Sequence, residues 1–506
     1  MQFESSEADS RAHYLLSSLL SVLVGAAALV FLVVLMTDVS RGLATSVVLG
    51  YAVFAFIAAG SVALSVHSTR RIALLVLLMG QVFWFAWPAL RVVTSGTDWF
   101  GDGVNYYLKD EEVVLTAFYL TLFGLLSLIT YAVTTHRLTR RETAGASGKD
   151  EATDFSSRAL TITALGLTAL GLLPFIFYGG SVQNIIQGVM GSRGAGMDKS
   201  WAQTAFESQP LYVIGRATLV TAGALALLQV LKLRRFKLRL AWGLLFVFSF
   251  MITYFDSGTR SWTALILLPP ALEYFRESLS KRKLMRWLLL GPAVLLAVFW
   301  VAQLQLNFRN TGFSTDALSS ENNFQIWDND FFSETAVAVS LVPAQMDYLH
   351  ESTLVLYLTN PIPRAIWEEK PYPRVIEMYS LGRRGYNEYR DRGSSSMPSV
   401  VGQFYMSWGW FGVVEIALVY GLFMAWLDAL WRRQGSSELT HIWAATAIVW
   451  LFLSYRGLFP GFHYPVLILG LLVLLEKRWS GRRARSKARA SSPPVAMRWA
   501  GYGRQS

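Results

Sequence analysis

The feature that most constrains this chain is a series of long apolar blocks separated by polar connections. A helix needs about 20 apolar residues to cross the hydrocarbon core of a bilayer. Twelve segments approach that length, and 53% of the residues are hydrophobic whereas 16% are charged. The sequence therefore predicts an all-α, polytopic integral membrane protein. The predicted spans are 14–36, 43–65, 72–92, 112–134, 158–178, 210–230, 239–255, 260–275, 287–306, 399–429, 440–455 and 463–476.

Lysine and arginine residues orient these spans, because short basic loops are retained in the cytoplasm. If the spans alternate, the basic connections 67–71, 136–141, 232–239, 276–286 and 432–433 fall on one face with the basic tail. We therefore expect both termini in the cytoplasm and the chain in a bacterial cytoplasmic membrane. Much of the net charge of +11 lies in these anchors, where anionic membrane lipids are adequate partners. The charge does not indicate nucleic-acid binding.

This topology divides the chain into four regions. Residues 1–306 form about nine spans, and 307–398 form a long, partly helical extracytoplasmic loop. Residues 399–476 form about three spans, and 477–506 form a basic cytoplasmic tail. Loops as long as the second region usually serve function. The chain has no cysteine, which excludes disulfides and thiolate metal sites.

The long loop carries an unusual number of arginines between residues 361 and 392. Its basic residues there are Arg364, Lys370, Arg374, Arg383, Arg384, Arg390 and Arg392. Guanidinium groups suit bidentate capture of phosphate or carboxylate better than ammonium groups do. We predict that this segment binds an anionic ligand. The alternative is a solvated loop whose arginines pair with neighbouring carboxylates.

Two short connections on the same face carry further ionisable residues, which are costly near hydrocarbon unless they are paired or solvated. Asp256 and Arg260 flank a tight turn, where a salt bridge that closes a hairpin and a substrate contact are both reasonable interpretations. Arg456 and His463 bracket the last outer connection. Histidine exchanges protons near neutral pH, although a histidine at a membrane edge is often structural.

One pair of carboxylates in the long loop has the spacing of a metal site. Asp328 and Asp330 are separated by one residue, which can present two carboxylates to Mg²⁺ or Mn²⁺. Asp and Asn also cluster in ordinary turns, where they bind backbone groups. We therefore expect a turn at this place, no metal site and no cofactor.

The order of motifs in the C-terminal half resembles the bacterial O-antigen or exopolysaccharide repeat-unit polymerases of the Wzy type, which share their architecture with O-antigen ligases. Residues 258–261 resemble a turn between spans, and 362–371 (IPRAIWEEKP) resemble the family's I/L-P-R-x-x-W-x-x-K-P segment. Residues 394–414 resemble its Pro-Ser, Gly-Glu-x-Tyr and Phe-Gly-x-x-Gly entry to a late helix. Gln403 stands where the family has glutamate, and Glu415 replaces the second glycine. A carboxylate role is therefore not transferred to Gln403.

The resemblance implies a GT-C-like membrane glycosyltransferase that polymerises lipid-linked oligosaccharide repeat units on the outer face. The substrate it implies is a polyprenyl diphosphate-linked oligosaccharide, with a flippase and a chain-length regulator as partner proteins. A ligase that transfers the glycan to another acceptor, and a flippase or transporter without chemistry, are the alternatives. No inverted repeat is evident, which weighs against a transporter.

Site residues follow from the resemblance together with the topology. The leading candidates for diphosphate contacts are Arg260, Arg364 and Arg456, which we expect to converge at the outer membrane edge. The further arginine candidates are Arg193, Arg374, Arg383 and Arg384. His463 is the favoured proton acceptor and Asp256 the alternative. Ser399 and Tyr405 are candidates to position sugar hydroxyls, although Ser399 can equally cap a helix.

Overall fold

The computed structural model describes the helical parts of the chain, and every regular element among them is a helix. The described residues are 42–64, 71–95, 108–144, 157–179, 209–257, 260–278, 330–351, 353–359, 362, 366–369, 374–375, 378–379, 397–433, 436–458 and 462–491. Within these ranges, the all-α prediction is confirmed.

The α-helices follow one another along the chain. They are α1 Leu43–Leu64, α2 Ile72–Gln81, α3 Trp87–Ser95, α4 Asp110–Ala144, α5 Ser157–Gly179, α6 Gln209–Lys232, α7 Phe236–Ser257, α8 Arg260–Ser278, α9 Phe331–Leu341, α10 Thr353–Thr359, α11 Ser399–Trp408, α12 Trp410–Arg432, α13 Glu438–Ser454 and α14 Tyr464–Ser491. A π-helical turn, Val82–Ala86, joins α2 to α3.

Six segments among the described residues are long and apolar enough to cross a membrane. They are Ala44–Val62, Ile72–Arg91, Asp110–Arg140, Val213–Lys232, Phe236–Thr253 and Trp410–Arg432. The predicted spans 158–178 and 440–455 correspond to shorter apolar helices, Leu160–Pro174 and Glu438–Ser454. The predicted spans 14–36 and 287–306 lie outside the described residues. The described helices thus support membrane association.

The centre of the bundle is a parallel pair of helices, α4 and α12. The Ser127 hydroxyl donates a hydrogen bond to the Ala417 carbonyl at 3.1 Å. Gly421 permits this approach, because a Cβ there would lie 2.5 Å from the Ser127 carbonyl oxygen. Further along both helices Tyr131 meets Asp428. Helices α1, α2, α9, α11 and α13 pack against this pair, whereas α5, α7 and α8 pack on α6.

A buried carboxylate on α12 holds the beginning of α2. Asp428 accepts hydrogen bonds from the backbone N–H groups of Ala73 at 2.9 Å and Leu74 at 3.3 Å. The Tyr131 hydroxyl donates to the same carboxylate at 2.8 Å. The first N–H groups of a helix have no partner within the helix, and the residue preceding α2, Arg71, provides no side-chain cap. Asp428 therefore caps α2 from a distant part of the chain.

An ion-pair network lies at the same end of the bundle. Glu273 on α8 is buried and accepts from Arg276 at 2.8 Å and from Lys232 at 3.4 Å. Lys232 also lies 3.3 Å from Glu438 at the start of α13. The Arg276 guanidinium is 6.0 Å from the ring centroid of Trp431, near the end of α12. We call this the basic end, and its basic residues are Arg71, Lys232, Arg276, Arg432 and Arg433.

The prediction of one continuous span over 399–429 is wrong, because the chain breaks at Gly409. This glycine has φ of +60°, a conformation that residues with a Cβ rarely adopt. Its neighbour Gly412 packs against α11, where a Cβ would overlap the Phe404 carbonyl oxygen. Helix α11 therefore folds back along the first turns of α12.

Part of the predicted outer loop is in fact core. Helix α9 falls within residues 307–398, yet Phe332, Ala336 and Leu341 are fully buried. The apolar sequence FFSETAVAVSL explains this, because it has too few polar side chains to present a solvated face. The loop is thus partly helical, as predicted, but its first described helix packs inside the bundle.

We expect the Asp428 cap to be a main stabilising contact of the basic end. Asp428→Ala removes all three acceptor interactions and should lower the free energy of unfolding by about 1–3 kcal/mol. Asp428→Asn keeps one acceptor oxygen, and Tyr131→Phe removes only one donor, so both should cost less. Thermal unfolding of the purified protein in detergent measures this order. An Asp428→Ala variant as stable as the unmutated protein would contradict it.

Candidate functional site

Two short buried helices, α9 and α11, meet at their N-terminal ends. Thr335 and Ser399 share a side-chain hydrogen bond of 2.7 Å, and the Val400 N–H donates to the Tyr455 carbonyl at 3.0 Å. At 1.5 Å per residue these helices are only about 15 Å long, which is too short to cross a bilayer. Both helices therefore begin inside the bundle, and their N-termini lie beside residues 455–458.

The connection between α13 and α14 lies at the same depth in the bundle as the N-termini of α9 and α11. Helix α13 ends at Ser454, whose hydroxyl hydrogen-bonds the Tyr420 hydroxyl at 2.5 Å. Tyr420 follows Trp410, the first residue of α12, by ten positions, which correspond to about 15 Å along the helix. The sequence placed Arg456 at the outer membrane edge. The structure places its backbone well within the length of α12 instead.

Arg456 occupies a partly exposed position between two aromatic rings. Its guanidinium lies 5.7 Å from the ring centroid of Trp84 and 5.5 Å from that of Phe331. The Trp84 indole N–H donates to the Phe452 carbonyl at 2.9 Å, which fixes the ring against the end of α13. Cations near aromatic faces are stabilised by the ring quadrupole. The cation is thus held where the start of α9 and the end of α13 meet the π-helical turn.

Gln403 on α11 fixes the backbone that follows Arg456. Its side-chain oxygen accepts from the Leu458 N–H at 2.7 Å, and the side chain is only 1% exposed. Gly457, the residue before Leu458, has a φ of +132°, which favours glycine. The neutral amide of Gln403 thus supplies the acceptor that the buried N–H needs.

His463, the predicted proton acceptor, is buried just before α14. It is 4% exposed, and its ring lies 4.4 Å from that of Tyr464. Its role as a proton acceptor stays a prediction.

Helix α8 begins close to the same connection. The rings of Trp262 and Phe462 are 4.8 Å apart, so the backbone of Arg260 at the start of α8 is near residues 462–463. Asp256 lies at the end of α7, and the side chains of Asp256 and Arg260 lie outside the described part of the structure. The structure thus brings two of the predicted connections together, as the topology required.

Ser399 and Tyr405 both make contacts that maintain the fold. The Ser399 hydroxyl accepts from the Gly402 N–H at 3.0 Å, so the capping interpretation is confirmed. Tyr405 is 5% exposed and donates to the Val342 carbonyl at 3.2 Å. Their proposed contacts with sugar hydroxyls stay predictions.

Asp330 caps α9, as the turn interpretation predicted. Its carboxylate accepts from the Ser333 N–H at 3.0 Å and from the Ser333 hydroxyl at 2.8 Å. Both carboxylate oxygens therefore serve the start of the helix. Asp328 lies outside the described residues.

Only a small part of the arginine-rich segment is described. Arg374 is exposed, whereas the following Val375 and the nearby Tyr379 pack into the core. The Tyr379 hydroxyl donates to the Glu334 carboxylate and, at 3.0 Å, to the Glu334 carbonyl. These contacts attach the segment to α9. The other predicted arginines, Arg193, Arg364, Arg383 and Arg384, lie outside the described residues.

One candidate that the sequence did not bring forward is an arginine within a helix. Arg216 lies inside Val213–Lys232, one of the segments of suitable length and hydropathy to cross a membrane, and its guanidinium is 6.0 Å from the Trp262 ring centroid. Trp262 in turn touches Phe462. The available signal was a charged residue inside the predicted span 210–230, which is rare in membrane helices without a functional or pairing role.

Part of the chain matches a known family model. Residues 314–430 match a family described as a domain of unknown function, DUF8712. The matched segment contains α9, α10, α11 and most of α12, so it includes the two short helices and the long helix beside which they pack. No curated protein and no solved structure matches the chain.

Proposed function

We propose that the protein is a membrane glycosyltransferase that polymerises lipid-linked oligosaccharide repeat units. The ordered motifs at 258–261, 362–371 and 394–414 support the reaction class. The proposed substrate is a polyprenyl diphosphate-linked oligosaccharide, used without a cofactor. The proposal includes about twelve spans in a GT-C-like arrangement, both termini in the cytoplasm of a bacterium, and a flippase and a chain-length regulator as partners.

The position of Arg456 carries the proposal. Its guanidinium lies between Trp84 and Phe331, at the level where α9 and α11 begin and α13 ends. Placing a cation inside a helical bundle is costly, and here the surrounding contacts hold it in one place. Such a preorganised charge is suited to an anion that needs stabilisation during a reaction.

Glycosyl transfer requires that kind of stabilisation. As the acceptor hydroxyl oxygen bonds to the anomeric carbon, the bond from that carbon to the phosphate oxygen breaks. The diphosphate leaves with the electron pair on that oxygen and stays attached to its polyprenyl chain. In the proposal, Arg456, Arg260 and Arg364 bind the departing diphosphate. The remaining arginines of the 361–392 segment neutralise further charge.

The acceptor hydroxyl must also lose its proton. His463 lies in the connection that follows Arg456, which supports it as the acceptor of this proton. Asp256 at the end of α7 is the alternative. Replacing each one separately, as His463→Gln and Asp256→Asn, distinguishes them by the larger loss of rate.

Reconstitution tests the proposed reaction. The purified protein is placed in vesicles with an undecaprenyl diphosphate-linked oligosaccharide, and the products are separated on gels and weighed by mass spectrometry. A ladder spaced by whole repeat units supports polymerisation. Transfer of the glycan only to a different lipid acceptor would indicate a ligase, and movement of an unchanged substrate across the bilayer would indicate a flippase.

The proposed orientation predicts a labelling pattern. Gln345→Cys, in the turn after α9, should react with a membrane-impermeant thiol reagent in intact spheroplasts, whereas Lys477→Cys on α14 should react only after lysis. Both positions are exposed, and the chain has no native cysteine. The opposite pattern would place the termini outside and refute this orientation.

Arginine variants test the proposed diphosphate contact. Arg456→Ala should slow polymerisation by roughly 10- to 100-fold, equivalent to the about 1.5–3 kcal/mol of a charge-assisted contact. Arg456→Lys should also be impaired, because it retains charge but lacks the planar fork. The same order is expected for Arg260 and Arg364.

The matched control is Arg433→Lys, an exposed arginine at the basic end, which should retain normal rates. All variants are compared at equal abundance in the membrane. Near-normal polymerisation by both Arg456 variants would reject this residue as a diphosphate contact, even if the protein proved to be a polymerase. A defect confined to Arg456→Ala would indicate a need for charge alone.

A further inference from the structure

Several large apolar side chains are exposed in the segment that follows α9, outside the membrane-spanning helices. They are Val355, Leu358, Ile362, Ile366 and Trp367. Leu358 is 60% exposed and Ile366 is 78% exposed. Large apolar side chains exposed in one segment in this way usually mark contact with another apolar phase or molecule.

Helix α10 within this segment has two faces. Thr353 and Leu356 are buried against the bundle, whereas Val355 and Leu358 are exposed. The turn continues beyond the helix, because the Ile362 N–H donates to the Thr359 carbonyl at 3.0 Å. Val355 and Leu358 are three residues apart, which is the spacing of one helical face.

Hydrogen bonds at the start of α10 fix its position along the length of the bundle. The Thr353 and Ser407 hydroxyls share a hydrogen bond of 2.7 Å, and the His350 N–H donates to the Ser407 carbonyl at 3.0 Å. Ser407 lies at the end of α11, directly before Gly409 and the first residue of the α12 span, Trp410. The segment therefore begins level with the end of a membrane-spanning helix.

Exposed aromatic side chains surround this same level. Trp408, Trp410 and Phe411 are all exposed, and the rings of Trp410 and Phe411 stack at 3.7 Å. Tryptophan is enriched where membrane helices meet the headgroups, because its ring is apolar and its N–H is polar. The exposed apolar surface continues from there down α12 through Leu418 and Leu422.

We propose that Val355 and Leu358 of α10, together with Ile362, Ile366 and Trp367, form an interfacial element, which lies in the lipid headgroup and upper acyl region at the end of the bundle opposite the basic end. The occupant of its apolar face is bilayer lipid, because the segment begins level with the exposed aromatic residues at the start of the α12 span. Amphipathic segments at such a depth bury their apolar side chains among the lipids and leave polar groups in water. The exposed Glu368 and Glu369 follow directly and mark the polar limit of the element. The interfacial placement is independent of the proposed glycosyl transfer, because it concerns only where the exposed apolar residues of this segment meet the membrane.

Spin labels test the proposal on the full-length protein in phosphatidylcholine vesicles. Single-cysteine variants Leu358→Cys and Ile366→Cys carry a nitroxide, with Phe411→Cys as the lipid-exposed reference and Gln345→Cys as the aqueous reference. Relaxation by oxygen, which concentrates in lipid, is compared with relaxation by a water-soluble nickel complex present on both sides of the vesicle. In one series the labelled protein is diluted with excess unlabelled protein, so that labels on neighbouring copies of the chain are separated.

The expected result is that the labels at 358 and 366 respond to oxygen as the label at 411 does, at a shallow depth. A response to the nickel complex like that at 345 would overturn the proposal and place the segment in water. Protection from both reagents would mean that protein covers the face, which would overturn it as well. Spin–spin broadening that disappears on dilution would identify a second copy of the chain as the cover and would also overturn the lipid assignment.

Discussion

The structure depends on one constraint, which is that helix ends inside an apolar bundle must have hydrogen-bonding partners. Water is scarce there, and an unpaired backbone group costs free energy comparable to a lost hydrogen bond. Helices α9 and α11 both start within the bundle, and each start has its own side-chain partner. Asp330 serves α9 and Ser399 serves α11. These short helices are stable inside the bundle because their ends are capped.

The same constraint accounts for the position of Arg456. Where α13 stops at Ser454, the chain needs partners for the groups that the helix leaves exposed. The Tyr455 carbonyl accepts from the Val400 N–H, and the Leu458 N–H donates to Gln403. The residues on either side of Arg456 are thus fixed to α11. Two aromatic rings then hold the guanidinium, so packing contacts that stabilise the fold also position a charge.

The sequence predicted the parts of the fold that depend on local composition. Long apolar blocks predicted α1, α4, α6 and α7 near their observed positions, since a membrane helix is identified by length and hydropathy alone. The same criterion failed at 399–429, because a hydropathy window does not register a single glycine that reverses the chain. The hydropathy criterion also assigned α9 to a loop, because an eleven-residue apolar helix is too short to be recognised as membrane-embedded.

The candidate site was predicted only in outline. Arg456 and His463 were identified from their position in a short connection. Their depth depends on where α13 ends relative to α12, and a local sequence pattern does not predict how two helices are positioned relative to each other. Asp428 was overlooked because its partners Ala73 and Leu74 on α2 are 355 and 354 positions away in the chain. Arg216 was overlooked because one charge within a long apolar block changes its hydropathy little. Residues whose roles depend on distant contacts were the ones that local reasoning missed.

The most direct measurement is an electron cryomicroscopy structure of the protein in a lipid nanodisc with a non-hydrolysable polyprenyl diphosphate analogue. We predict density for the diphosphate within hydrogen-bonding distance of the Arg456 guanidinium, beside the N-terminal ends of α9 and α11. Density for the diphosphate at the basic end, near Lys232 and Arg276, with none at Arg456, would contradict the proposed role of this arginine.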